Sequence, residues 1–217
     1  MDTVLFDLDG TLLNTLDDLC DSTNFALGKM GYNARTLEEV RSFVGEGVRK
    51  LIERALPDFA KDKTDETLEI FEKHYDKNKE NKTRAYDGVK QMLDGVCAKY
   101  KTAVVSNKYH AAVADLREKL FPQITLAVGE RDGLNKKPAP DMVEYALREL
   151  GSVRENAVYV GDSNIDILTA RNSGLPIIAV SWGFRPRALL EEMGADIIID
   201  KPSELMGALE KINVRLG

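Results

Sequence analysis

Two aspartates one residue apart, Asp7 and Asp9, close the short apolar run Val4-Leu5-Phe6 and are followed at once by Gly10. In an extended chain residues i and i+2 project to the same side, so both carboxylates face one space while Leu8 returns to the core. Gly10 lets the chain turn sharply past them. Acids at the end of a buried strand are costly unless positive charge lies beside them. The pair therefore predicts a cation or an ammonium nearby. Further polar groups follow other apolar runs: Ser106-Asn107 after 102–105, Lys136-Lys137-Pro138 after 126–128, and Gly161-Asp162-Ser163 after 157–160, with Asp166 four residues beyond Asp162. Four acids, a hydroxyl and a lysine suit a phosphate ester with a divalent metal. Carboxylate oxygens hold a hard ion such as Mg²⁺, and a hydroxyl, backbone amides and an ammonium offset the phosphoryl charge. A carboxylate can also serve as the nucleophile and form an aspartyl phosphate. Singly, each group has a plainer explanation. Ser163-x-x-Asp166 fits a helix capping box, and Ser106 or Asn107 fits a helix cap. Their joint occurrence at successive strand ends is what points to chemistry.

The elements that must position these residues are legible in the periodicity. Apolar runs at 4–6, 102–106, 126–128, 157–160, 177–180 and 197–199 predict short buried strands. Helical spacing over 88–100, 110–120, 140–150, 164–172 and 202–213 separates most of them. Such alternation implies a parallel sheet with helices on both faces, whose ligands bind at the carboxyl ends of the strands. One stretch interrupts the alternation. Residues 15–30, 37–44, 48–56 and 64–82 read as helices, and no strand is expected between 14 and 83. The predicted organisation is thus a core of 1–13 and 84–217 with a helical domain at 14–83.

The 217 residues carry a net charge of −6, with 43% hydrophobic and 30% charged residues. That balance argues against nucleic-acid and membrane-surface partners. No run approaches membrane-spanning length, and the acids at positions 2, 7 and 9 break any secretory-signal pattern. Cys20 and Cys97 lack metal-ligand spacing and form no disulfide framework, so the expected location is the cytoplasm. Monomer and homodimer are both compatible with the sequence.

FDLDGTLLNT (6–15), VVSNK (104–108), KKPAPDM (136–142) and VGDSNIDILTARNSG (160–174) resemble, in order and spacing, the motifs of the haloacid dehalogenase superfamily of aspartate-nucleophile phosphatases. The similarity is greatest to its phosphoglycolate phosphatase group. It implies a Rossmann-like core with an all-helical cap inserted after the first strand. It implies Asp7 as nucleophile and Asp9 as general acid and then base. Ser106, with Asn107 beside it, and Lys137 would bind phosphate. Mg²⁺ would be held by Asp7, the Asp9 carbonyl and Asp162, with Asp166 in support. Dehalogenating members lack the second aspartate, so Asp9 speaks for phosphoryl transfer. Gly45-Glu46-Gly47-Val48-Arg49 resembles the loop that selects substrate, which makes Gly45 and Arg49 the cap candidates. Trp182-Gly183-Phe184-Arg185 either lines the cleft or covers the core edge. The implied activity is Mg²⁺-dependent hydrolysis of a small phosphorylated metabolite, 2-phosphoglycolate first. A β-phosphoglucomutase-like sugar-phosphate mutase, a pyrophosphatase and a 5′-nucleotidase are alternatives on the same scaffold. A non-catalytic relative would have lost a strand-end residue, and none is lost.

Overall fold

The computed structural model describes residues 1–216. In chain order its elements are β1 (Thr3–Phe6), β2 (Leu13–Asn14), α1 (Leu16–Lys29), α2 (Leu37–Phe43), α3 (Val48–Ala55), α4 (Thr64–Asn78), β3 (Arg84–Ala85), α5 (Val89–Cys97), β4 (Lys101–Tyr109), α6 (His110–Leu120) and β5 (Leu126–Glu130). They continue with α7 (Asp141–Glu149), β6 (Ala157–Gly161), α8 (Asn164–Asn172), β7 (Ile177–Val180), α9 (Arg187–Glu192), β8 (Ile197–Ile199) and α10 (Leu205–Leu216). The chain divides into two compact units, Leu13–Arg84 and the remainder.

The larger unit is built on a six-stranded sheet in the order β5-β4-β1-β6-β7-β8, every pair parallel. β1 lies inside it, aligned with Lys101 on one side and Ala157 on the other through Thr3. Its residues are fully buried, as the continuous apolar run requires for a strand covered on both faces. Leu5, Val105, Val128, Tyr159, Ile177 and Ala179 pack on one face against Met142, Val143, Ala146 and Leu147 of α7 and Ile167 and Ala170 of α8. Among the described residues none of α5 or α6 belongs to that cluster, in line with the general right-handed crossover rule, which sends them to the other face.

β4 is longer than the expected 102–106, and its register with β5 shifts between Val105 and Tyr109. Ser106, Asn107 and Lys108 occupy this irregular segment. A bulge of this kind re-aims side chains away from simple alternation.

The smaller unit is helical and is held by its own apolar residues, among them Leu19, Leu27, Val40, Ile52, Phe71 and Tyr75, all buried. Thr36 and Glu39 form a capping box that starts α2. Buried Asp18 accepts hydrogen bonds from the amides of Lys82 and Thr83. The structure corrects several boundaries here. α4 ends at Asn78 rather than 82, because 79–83 is Lys-Glu-Asn-Lys-Thr and offers no apolar face. Two short strands that the sequence did not announce, β2 and β3, pair with each other at the boundaries expected near 14 and 83. Each is two residues long, too short to show a period. α9 was also unforeseen, and the last helix begins at Leu205 after a 3₁₀ turn at Pro202–Glu204.

Candidate active site

Asp7 just after β1, Tyr159 within β6, Asp166 in the first turn of α8 and Lys137 in the β5–α7 loop form one buried cluster. Lys137 is its hub. Its Nζ donates to Asp7 Oδ1 at 2.8 Å, Asp166 Oδ1 at 2.8 Å and the Tyr159 hydroxyl at 2.9 Å. The Tyr159 hydroxyl in turn donates a hydrogen bond to the Val105 carbonyl at 2.8 Å. The ammonium, only 2% exposed, is thus fixed in space. Burial pulls its pKa down, but Asp166 and Asp7 more than offset that and hold it well above the usual lysine range.

Asp7, Asp162 and Asp166 place carboxylate oxygens within 4.8 Å of one another. Gly10 and Gly183 make this possible. Gly10 turns with φ +91°, and a Cβ there would lie 2.4 Å from Asp162 Oδ2; a Cβ on Gly183 would lie 2.3 Å from the Asp162 Cβ. Asp162 is oriented by the Thr11 hydroxyl at 3.1 Å and the Phe184 amide at 2.7 Å. Asp166 uses its two oxygens differently. Oδ1 takes Lys137, while Oδ2 accepts from the Ser163 amide and hydroxyl and the Asp162 amide. The capping box and the site role are therefore combined in one residue.

Burial drives the Asp7 carboxyl up to about 7, against the lowering influence of Lys137, and Asp166 and Asp9 add to the rise. Burial, then the charges of Asp166 and Asp7, push Asp162 well above the usual carboxylate range. Both shifts come first from burial and then from the closeness of the carboxylates to one another. An all-oxygen carboxylate donor set in that field fits a hard divalent cation, held by Asp7 and Asp162 with Asp166 in support.

The remaining expected residues are placed as follows. Ser106 is buried, and its hydroxyl oxygen accepts from the Lys108 amide at 3.2 Å. Asn107, expected at the phosphate, has its carboxamide turned elsewhere. It donates to the Lys137 carbonyl at 3.0 Å and accepts from the Lys137 amide at 2.8 Å. Both ends of the side chain thus fasten the Lys137 backbone, and one Nδ2–H remains beyond these two bonds. Asp9 binds Lys108 Nζ through both oxygens, at 3.0 and 3.2 Å. Gly45 and Arg49 lie in the helical unit, where the Arg49 guanidinium pairs with Asp65.

Lys108, Tyr159 and Thr11 escaped the sequence reading as site residues, whereas the loop after β7 was read as either lining the cleft or covering the core edge. The only signal for Lys108 was its place two residues after Ser106. Tyr159 was hidden inside an apolar strand. The loop at Trp182–Phe184 turns out to brace the site: the Trp182 indole donates to the Thr11 carbonyl at 3.0 Å, and the Phe184 amide holds Asp162.

This sheet, with acids at the ends of β1 and β6 and a lysine between them, defines a known class of enzyme. Residues 4–180 match the family model described as haloacid dehalogenase-like hydrolase, and the chain belongs to that family. A phosphoglycolate phosphatase from Mesorhizobium japonicum is 35% identical, over 99% of this chain and 94% of the relative. A pyrophosphatase PpaX from Bacillus cereus is 31% identical, over 98% of each. A Lactobacillus delbrueckii subsp. bulgaricus crystal structure, provisionally assigned as a phosphoglycolate phosphatase, superimposes with a TM-score of 0.89 at 35% identity, over 96% of this chain and 98% of that one. Among the described residues no helix is long and apolar enough to cross a membrane.

Proposed function

We propose that the protein is a Mg²⁺-dependent phosphomonoesterase that works through an aspartyl phosphate. The observation that carries this reading is the Asp7 carboxylate, buried at a strand end and bound by the fixed Lys137 ammonium at 2.8 Å. Asp7 attacks phosphorus in line while Lys137 offsets the phosphoryl charge that otherwise repels a carboxylate. The Ser106 hydroxyl donates to a phosphoryl oxygen. Asp9 delivers a proton to the leaving oxygen and then takes one from the water that hydrolyses the acyl phosphate. Mg²⁺ at Asp7 and Asp162 would supply further charge neutralisation between nucleophile and phosphoryl group.

The proposed substrate is 2-phosphoglycolate, free in the cytoplasm and bound by a monomer or homodimer with no nucleic acid involved. The name of the Mesorhizobium relative supports it. In this reading Leu13–Arg84 is the cap, and Gly45 and Arg49 contact the leaving group. Arg49 then exchanges Asp65 for the glycolate carboxylate. The exchange is cheap, because the two side chains are 53% and 81% exposed and exposed ion pairs contribute about 0–1 kcal/mol. Pyrophosphate is the second candidate, favoured by the PpaX relative at comparable identity and coverage.

The test is phosphate release from both compounds with and without Mg²⁺, together with trapping of ³²P from labelled substrate. Transient label on Asp7 and metal-dependent release are expected. Label on another residue overturns the mechanism, and faster release from pyrophosphate overturns the substrate.

A further inference from the structure

Lys108 has no part in the chemistry described so far, yet it is among the most buried charged side chains of the site. Its side chain is 2% exposed, and its Nζ lies 3.0 and 3.2 Å from the two oxygens of Asp9, itself 14% exposed. It reaches Asp9 because it sits in the irregular segment of β4, where strand alternation is suspended. A carboxylate's terminal torsion is soft and nearly two-fold, so a lone aspartate is poorly aimed. A grip on both oxygens removes that freedom.

We infer that Lys108 is the positioning residue for Asp9: it fixes the direction in which that carboxylate exchanges a proton with the leaving oxygen. This rests on the acid–base role proposed for Asp9. Proton delivery matters in proportion to the basicity of the leaving group. An alkoxide cannot depart without a proton, whereas p-nitrophenolate can. Misaiming a proton donor costs about tenfold to a hundredfold. The loss on removing Lys108 therefore follows leaving-group basicity and is blind to leaving-group charge.

The experiment measures kcat and KM for ethyl phosphate, 2-phosphoglycolate and p-nitrophenyl phosphate in wild type, Lys108→Met, Lys108→Arg and Asp9→Asn. Lys108→Met is expected to lose about tenfold to a hundredfold in kcat on both alkyl esters and only a few-fold on the aryl ester. KM stays near the wild-type value, and Lys108→Arg recovers most of the loss. Lys108→Gln serves in its place should the Met variant not fold. Equal losses on all three substrates overturn the inference, as does a loss confined to 2-phosphoglycolate and expressed in KM, which makes Lys108 a carboxylate-binding residue. Asp9→Asn separates the levels. If it loses equally on alkyl and aryl esters, the acid–base reading of Asp9 itself falls. If it discriminates and Lys108→Met does not, only the positioning role falls.

Discussion

At the scale of single residues, Asp7 and Tyr159 make the clearest contrast. Asp7→Asn keeps the shape and one acceptor oxygen for Lys137 but removes the carboxylate proposed as nucleophile, so turnover should vanish while the circular dichroism spectrum is retained. Near-normal activity in that variant would remove Asp7 from the mechanism. Tyr159→Phe keeps the packing on the α7 and α8 face and deletes only the hydroxyl between Lys137 and the Val105 carbonyl. A Lys137 N–H and the Val105 carbonyl each lose a buried partner, at about 1–3 kcal/mol for each group left unsatisfied. A lowered melting temperature is expected with kcat reduced and Mg²⁺ dependence intact; an unchanged melting temperature would mean the hydroxyl is idle. Asp7 was legible because it lies in a contiguous motif whose spacing dictates a shared direction. Tyr159 was not, since its hydroxyl acts across strands on a lysine remote in sequence. Asn107 shows the limit of adjacency. Next to Ser106 it reads as a phosphate ligand, but the bulge turns its carboxamide onto the Lys137 backbone.

At the scale of elements, the loop after β7 matters more than its composition announces. Gly183 is where the chain passes against Asp162, with no room for a methyl group. Gly183→Ala should push Asp162 off the Thr11 hydroxyl and the Phe184 amide, raising the Mg²⁺ concentration needed for half-maximal activity. Its KM at saturating metal should move much less. An unaltered Mg²⁺ requirement would show that the loop can yield without moving Asp162. Asp166→Ala tests a different coupling. It removes a capping interaction worth about 1 kcal/mol and a partner of Lys137 together, so stability and kcat should fall in the same variant. Loss of stability alone would reduce Asp166 to a helix cap. The long apolar and amphipathic segments of the core were readable from period alone. β2, β3 and α9 were not, because two residues define no period and a six-residue helix barely completes its first turns.

At the scale of the whole molecule, the buried acids make stability depend on pH and metal together. The Asp7 carboxyl titrates near 4 when unfolded and at about 7 when folded. Between those values the folded state holds more protons than the unfolded one, so its contribution to stability falls as pH rises and stays lost above about 7. Divalent metal needs the ionised form and competes with the proton. The rise in melting temperature on adding Mg²⁺ should therefore be small at pH 5 and larger at pH 8, measured by differential scanning fluorimetry; equal rises would show that these carboxylates do not hold the ion. The strand–helix alternation disclosed the α/β class, because every connection in a parallel sheet must cross over. Strand order carries a separate consequence for how the chain is born. β1 leaves the ribosome first, yet its neighbours begin at Lys101 and Ala157. At cellular translation speeds the second of these follows on the order of ten seconds later. Until β4 is made Val4, Leu5 and Phe6 have no strand to pair with, and until β6 is made they have none on their other side, while Leu13–Arg84, compact by itself, is already complete. On the proposed mechanism the attacking carboxylate is thus made early and seated late: Asp7 gains its second flanking strand only when residues 157–160 arrive, with Asp162 directly behind them.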